Sequence, residues 1–289
     1  MSCFPWLKAA LLLYPALLSA QGQSVILRVP AGLVVAPTSV TDHSGNFING
    51  LTAADFLLWD NDVPQQVHED GDFLPISLAI AVQANLKGHD IERIRELGPL
   101  LGALVVGVGG EAAICSFDTK LEVRQDFTPD LGRLTRALRR IEFSRGSTHV
   151  IDAALDAMRL LEQRPEGRRH ILLLISGPGD QGSQRTLRDA LADASVSNTL
   201  IYWLNTTRGE TAEDPVPVLT RYTGGQHYAL ENRHALERAI TMIGEEIHGQ
   251  YLLSYTPANT HETGFHRIRV VAKRVGVEVR SRPGYWTPN

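Results

Sequence analysis

Residues Gly177-Pro178-Gly179-Asp180-Gln181-Gly182 spell a glycine-x-glycine-x-x-glycine run after an apolar stretch and before a helical one, a spacing that lets backbone approach a pyrophosphate. Thr148-His149 sets a hydroxyl beside an imidazole, and His261-Glu262 with His266, or His68 with Glu69, Asp70 and Asp72, offers metal-ligand types. Each meets a chemical objection. Asp180 would bring a carboxylate to the pyrophosphate, and the next strand ends in Asn205, not in an acidic residue for a ribose. The glycine run therefore reads as a turn. Gly264 separates the second histidine from the first, so those residues belong to a hairpin turn and not to a zinc helix. No nucleophile with a base and an orienting carboxylate can be assembled around His149, which leaves it a capping or surface role. The acidic group before Pro75 reads as a solvated linker. Gly107 to Gly110 lacks a phosphate-loop lysine, and no Gly-x-Ser-x-Gly elbow occurs. These absences point away from an enzyme and from a bound cofactor.

A different stretch is placed where ligands collect. Ile76 to Val82 is apolar except for Ser77, too continuous for a half-wet strand and suited to a parallel sheet covered on both faces. Ligands of open α/β sheets gather outside the carboxyl ends of such strands. Here that end is Gln83-Ala84-Asn85-Leu86-Lys87, two amides and an ammonium with no carboxylate.

A net charge of −4 and 43% hydrophobic residues supply a core and exclude a basic nucleic-acid binder. Residues 1–20 carry one lysine, an apolar run and Ser19-Ala20, the pattern of a signal peptide cleaved near Ala20; an uncleaved anchor is the alternative. No later segment approaches the ~20 apolar residues of a membrane span. A secreted or periplasmic protein is expected, without a span in the mature chain. Loss of the signal removes Cys3 and leaves Cys115 in an apolar run, a buried small hydrophobe. Asn205-Thr206-Thr207 is a glycosylation sequon in form only.

The elements around these residues divide the chain. Residues 21–73 hold short β-prone runs broken by Gly, Asp, Asn and Pro. Residues 74–248 alternate strand and helix: a helix from Asp90 to Val105, strands at 111–117 and 120–123, helices at 131–141 and 150–161, then strand 169–176. A helix at 184–194, a strand at 199–205, a short helix at 216–222, a strand at 226–230 and a long helix at 234–247 complete it. Residues 249–289 return to β. Neither β region buries a face alone, so the two are expected to pair, making the α/β unit an insertion into a sandwich.

This order of elements resembles the von Willebrand factor type A fold. Nearly the whole chain after the signal is similar to an exported acidobacterial family of type A-related proteins. The likeness rests on SVTDHSGNFINGLTAADFLLWDNDVPQQV, PISLAIAV, Gly146-Ser147-Thr148 with Ile151-Asp152-Ala153-Ala154, HILLLIS, GQYLLSYTP, GFHRIRVVAK and SRPGYW. It implies a Rossmann-like α/β domain with a central, mostly parallel sheet. It also implies a metal-ion-dependent adhesion site formed by three loops carrying Asp-x-Ser-x-Ser, a Thr and an Asp. Aligned on those positions, the chain supplies Gln83, Asn85 and Lys87, then Thr148, then Gly177, with Asp180 three residues on. Both carboxylates are missing, and a divalent ion prefers them. The site is therefore read as degenerate, with no metal ligand set. Lys87 is expected to replace the cation, its charge balanced by Asp180 or Asp152, with a surface-exposed lysine as the alternative. The resemblance implies a non-enzymatic interaction module whose partner-binding face comprises Gln83, Asn85, Lys87, Ser147, Thr148, His149 and Asp180, meeting a protein or cell-surface polymer. The competing readings are a nucleotide binder or enzyme using Gly177 to Gly182, and a purely structural envelope protein.

Overall fold

The two ends of the chain build one antiparallel structure because each supplies strands that lack partners of their own. The structure is a computed structural model and describes residues 32–69, 74–101, 109–165, 167–207, 214–258 and 262–287. The signal-like segment, the 25–29 run, Asp70, Asp72 and His261 lie outside them. From the N-terminal side come β1 (Val34–Asp42), β2 (Phe56–Asp60), β3 (Val63–Gln65) and β4 (His68–Glu69). From the C-terminal side come β11 (Tyr251–Tyr255), β12 (Gly264–Ala272), β13 (Val277–Ser281) and β14 (Gly284–Thr287). They interleave as β13-β1-β11-β4 and β14-β12-β2-β3, two four-stranded sheets. Val40 pairs with Val279, Ala36 with Leu253, and Leu58 with Val270. Inward residues Phe56, Leu58, Leu253, Tyr255, Ile268 and Val270 form the sandwich core, as alternation on half-buried strands requires. His68 and Glu69, read as linker, are the edge strand beside β11.

Between these ends lies a six-stranded sheet ordered β10-β9-β8-β5-β6-β7. Its strands are β5 (Ile76–Gln83), β6 (Glu111–Phe117), β7 (Leu121–Thr128), β8 (Arg169–Ser176), β9 (Leu200–Asn205) and β10 (His227–Ala229). Only the edge strand β7 runs antiparallel. Every residue of β5 is buried. Leu78, Ile80 and Val82 face the layer of α1 (Gly88–Arg95), α2 (Gly98–Leu101), α3 (Leu131–Arg139) and α7 (Arg233–Gly249). Ala79 and Ala81 face α4 (Val150–Glu162), α5 (Leu187–Ser197) and α6 (Pro215–Thr223). Small side chains on β5 meet Ala153, Ala154 and Ala157 of α4, all fully buried, so that helix can lie close against the sheet. Each buried leucine or isoleucine around them contributes about 1.5–3 kcal/mol.

Two boundaries differ from those expected. The helix read from Asp90 to Val105 is interrupted after Arg95 and resumes at Gly98. Pro99 cannot donate to the helical ladder, and a Cβ at Gly98 would stand 2.5 Å from Thr135 Oγ1 on α3. The helix expected at Gln184 starts at Leu187, where Thr186 and Asp189 form a reciprocal capping box. Cys115 is fully buried and burial pushes its thiol up to about 12, so alkylation by iodoacetamide at neutral pH should be slow in the folded protein. Rapid modification without denaturant would contradict that placement. Among the described residues no helix is long and apolar enough to cross a membrane.

Candidate functional site

β5 is the sheet's turning point, because β6 adds on one side and β8 on the other. The crevice between the carboxyl ends of β5 and β8 is where such folds accept ligands. Gln83, the last residue of β5, closes it: its Oε1 accepts from Gly177 N at 2.9 Å. Its Nε2 donates to Asn85 Oδ1 at 2.7 Å and to Thr148 Oγ1 at 3.1 Å. Asn85 Nδ2 donates to Gly146 O at 2.6 Å and to Thr148 Oγ1 at 3.1 Å. The threonine hydroxyl in turn faces Asn85 Oδ1 at 3.3 Å. Main-chain bonds hold the loops in register: Ser144 N to Ala84 O at 3.0 Å, His149 N to Asp118 O at 2.8 Å and Gln181 N to Thr148 O at 2.7 Å. A Cβ at Gly146 would stand 2.5 Å from Asp118 Oδ2, so a side chain there would have to displace the Asp118 carboxylate.

Gln83, Asn85, Thr148 and Gly177 thus meet at one point, but their chemistry there is that of donors. Both amide nitrogens spend both hydrogens inside the cluster, and the Thr148 oxygen receives one from each. A divalent cation needs oxygen lone pairs at near-octahedral positions, and amide N–H groups repel it. The residues present do not fit the metal that the fold family implies. Among the described residues no group of three or more His, Cys, Asp or Glu is placed to hold a metal ion.

Lys87 takes the second of its expected placements. It is exposed and stands at the N-cap position of α1 with extended backbone. The carboxylates assigned to balance it are committed elsewhere. Asp180 Oδ1 accepts from Ile151 N at 3.2 Å, capping α4, and from Ser183 Oγ at 2.6 Å. Asp152 accepts from Arg185 Nε at 2.8 Å, Arg185 N at 3.1 Å and Gln184 N at 2.9 Å. It is Gln83 and Asn85, not the lysine, whose N–H groups fill the point between the loops. Ser147 is exposed at the same face, and half-buried His149 has its Nδ1 3.8 Å from Asp152 Oδ2.

Burial alone would raise the Asp152 carboxyl, but Arg185 and the two backbone N–H groups outweigh it and hold the group below the ordinary aspartate range. A depressed carboxyl stabilises the fold above its unfolded pKa, and the contribution is lost as pH falls through the lowered value. Asp152→Asn should therefore cost about 1–3 kcal/mol at neutral pH, with the gap to wild type closing in acid. Urea denaturation across pH measures this, and a gap that stays constant as pH falls from neutral to below the lowered Asp152 value would exclude the ion pair as its source.

Most backbone N–H groups of the glycine run are already taken. Gly177 N is bonded to Gln83, Gly179 N to Asp214 Oδ2 at 3.1 Å, Gln181 N to Thr148 O, and Ser183 N to Asp180 Oδ2 at 3.0 Å. The following helix begins only at Leu187, so its N-terminus does not open directly from the run. Asn205 Oδ1 accepts from Thr207 N at 3.0 Å, local turn chemistry. Sequence reasoning missed Asp118 in the second crossing and the whole sandwich cluster of Asp60, His266, Tyr255 and Tyr285, although alternation along β2 and β12 places Asp60 and His266 on inward faces.

No family model and no curated protein sequence matches the chain. Solved structures do match. A von Willebrand factor type A protein from Catenulispora acidiphila aligns at 8% identity over 90% of this chain and 75% of its own, with a TM-score of 0.54. Proximal thread matrix protein 1 from the mussel byssus aligns at 9% identity over 62% of this chain and 48% of its own, TM-score 0.51. The form of that protein with a zinc-occupied MIDAS motif gives 0.50 at 11% identity, over 63% and 47%. The chain spans about half the length of the mussel protein. Similarity at this identity establishes architecture: the α/β unit has the von Willebrand factor type A fold, accompanied by separate antiparallel sheets.

Proposed function

We propose that the protein is an exported, non-enzymatic interaction module that binds a protein or cell-surface polymer through its three-loop face without a divalent cation. The observation that carries this reading is the amide-hydroxyl cluster of Gln83, Asn85 and Thr148, which occupies the crossing of the loops with N–H donors. A locked crossing presents Lys87, Arg145 and Ser147, all exposed, on a preformed surface, and preformed surfaces lose little entropy on binding. Export is supported by the signal-like residues 1–20 and by the resemblance to exported acidobacterial type A-related proteins. The similar mussel structure is that of a byssus thread matrix protein, a name in keeping with such a role.

A photo-crosslinker at Ser147, with a control at the fully exposed Val275, tests the proposal in the organism's own envelope fraction. Adducts are expected from Ser147 and not from Val275, and chelation with EDTA should leave them unchanged. Loss of the adducts in EDTA would overturn the metal independence. No adduct from Ser147 would favour a purely structural envelope component.

A further inference from the structure

A second site lies away from the three loops, where the sandwich meets α5. A cleft of about 310 Å³ is lined by Leu33, Val34, Val196, Asn198, Arg282 and Trp286, among others, a size at which small ligands are taken up. Its floor holds Arg282, only 4% exposed. The Arg282 Nε donates to Gly284 O at 3.0 Å, and Nη1 donates to Asn198 Oδ1 at 2.9 Å, with Val35 O at 3.5 Å. Among the described residues Nη2 has no hydrogen-bond partner and no carboxylate pairs with the guanidinium. Burial lowers its pKa, and the groups that favour its charge are the ring hydroxyls of Tyr222, Tyr255 and Tyr285.

The nearby buried carboxylate is already committed. Asp60 Oδ1 lies 2.8 Å from His266 Nδ1, and Oδ2 accepts from Tyr255 at 2.9 Å and Tyr285 at 2.8 Å. His266 Nε2 faces Glu262 O at 3.1 Å, so both ring nitrogens meet acceptors. Glu262 stands exposed at the rim, its carboxylate taking the Asn61 amide at 2.5 Å. A buried cation without an anion is costly unless a partner supplies the charge. Asn198 is exposed beside it, and its Nδ2 adds a second donor. Around this polar floor stand Leu33, Val196 and Trp286, 53%, 73% and 44% exposed. Three large apolar side chains left open around one cleft argue for an occupant with an apolar body.

We propose that this cleft binds a small organic acid, its carboxylate held by Arg282 and Asn198 and its apolar body lying among Leu33, Val196 and Trp286. Guanidinium and amide donors match a planar carboxylate. The site is independent of the three-loop face.

Titration calorimetry of the full chain with phenylacetate and hexanoate, against phenylacetamide and inorganic phosphate, tests it. Saturable binding of either acid is expected, with at least about 30-fold weaker binding of the neutral amide, as for removing one partner of a buried charge pair. Asn198→Asp supplies Arg282 with an internal counter-ion. It should raise the unliganded melting temperature while weakening acid binding by a similar factor, and its left-handed backbone position tolerates Asp. The proposal is overturned if neither acid binds at millimolar concentration, if the amide binds as well as the acid, if phosphate binds more tightly, or if Asn198→Asp leaves acid affinity unchanged. The amide comparison needs no variant, so it stands even where a substitution disturbs folding.

Discussion

Asp60→Ala should destabilise the protein by about 3–5 kcal/mol, because it removes a fully buried acceptor shared by three neighbouring side chains, and each buried polar group left unsatisfied costs about 1–3 kcal/mol. Asp60 is fully buried on β2 and accepts from two tyrosine hydroxyls while facing the His266 imidazole. Removal leaves those donors in a core where water cannot replace the acceptor. His266→Phe should cost less: the carboxylate keeps both tyrosines, and the new ring occupies the stacking position over Tyr285, now at 4.8 Å between centroids. Because β2 and β12 come from opposite ends of the chain, either loss weakens the closure of the sandwich. Urea midpoints at matched slope measure both. A cost below about 1 kcal/mol for Asp60→Ala, within the range of ordinary surface substitutions, would show that the cluster does not hold the two sheets.

The fold was legible where pattern alone decides it. Ile76 to Val82 announced a strand buried on both faces, and every residue of β5 is buried. The two β regions were short of strands, and they indeed complete each other. Legibility failed at local boundaries. The start of α5 is set by the Thr186–Asp189 capping box, and the Gln184 and Arg185 backbone N–H groups ahead of it go to Asp152, a residue on another helix. Lys87 takes the exposed one of its two expected placements. Its spacing from Gln83 matches the third ligand of the resembling motif, but at the N-cap of α1 its side chain is exposed. Spacing identifies a position in a loop; it does not tell which way the loop faces. Asp60 and His266 lie 206 residues apart, and strand alternation would have put both on inward faces without revealing that they meet.

Wild-type protein should ignore Mg²⁺, Mn²⁺ and Ca²⁺ in calorimetric titration, whereas the combined variant Gln83→Asp, Asn85→Ser, Lys87→Ser, Gly177→Asp should bind Mg²⁺ or Mn²⁺ with millimolar or tighter affinity. The argument is one of lone pairs. In wild type the Thr148 oxygen receives N–H groups from Gln83 and Asn85; the substitutions replace both donors with oxygen and supply the carboxylates a hard cation prefers. The backbone allows it. Gly177 lacks a positive φ, and a Cβ there meets nothing nearer than Thr207 Cγ2 at 3.7 Å, with Gln83 Oε1 and Thr206 Oγ1 at 3.9 Å. Thr206 Oγ1 is buried without a hydrogen-bond partner among the described residues, so a carboxylate at 177 would also find a hydroxyl donor beside it. Two carboxylates brought together without a cation repel, and the variant should therefore melt lower than wild type in EDTA and recover on adding Mn²⁺. Micromolar metal binding by wild type, abolished by Thr148→Ala, would overturn the reading of the amide cluster. Failure of the folded variant to bind any of the three ions would show that the loops are set at the wrong separation, and that donor chemistry alone does not account for the site.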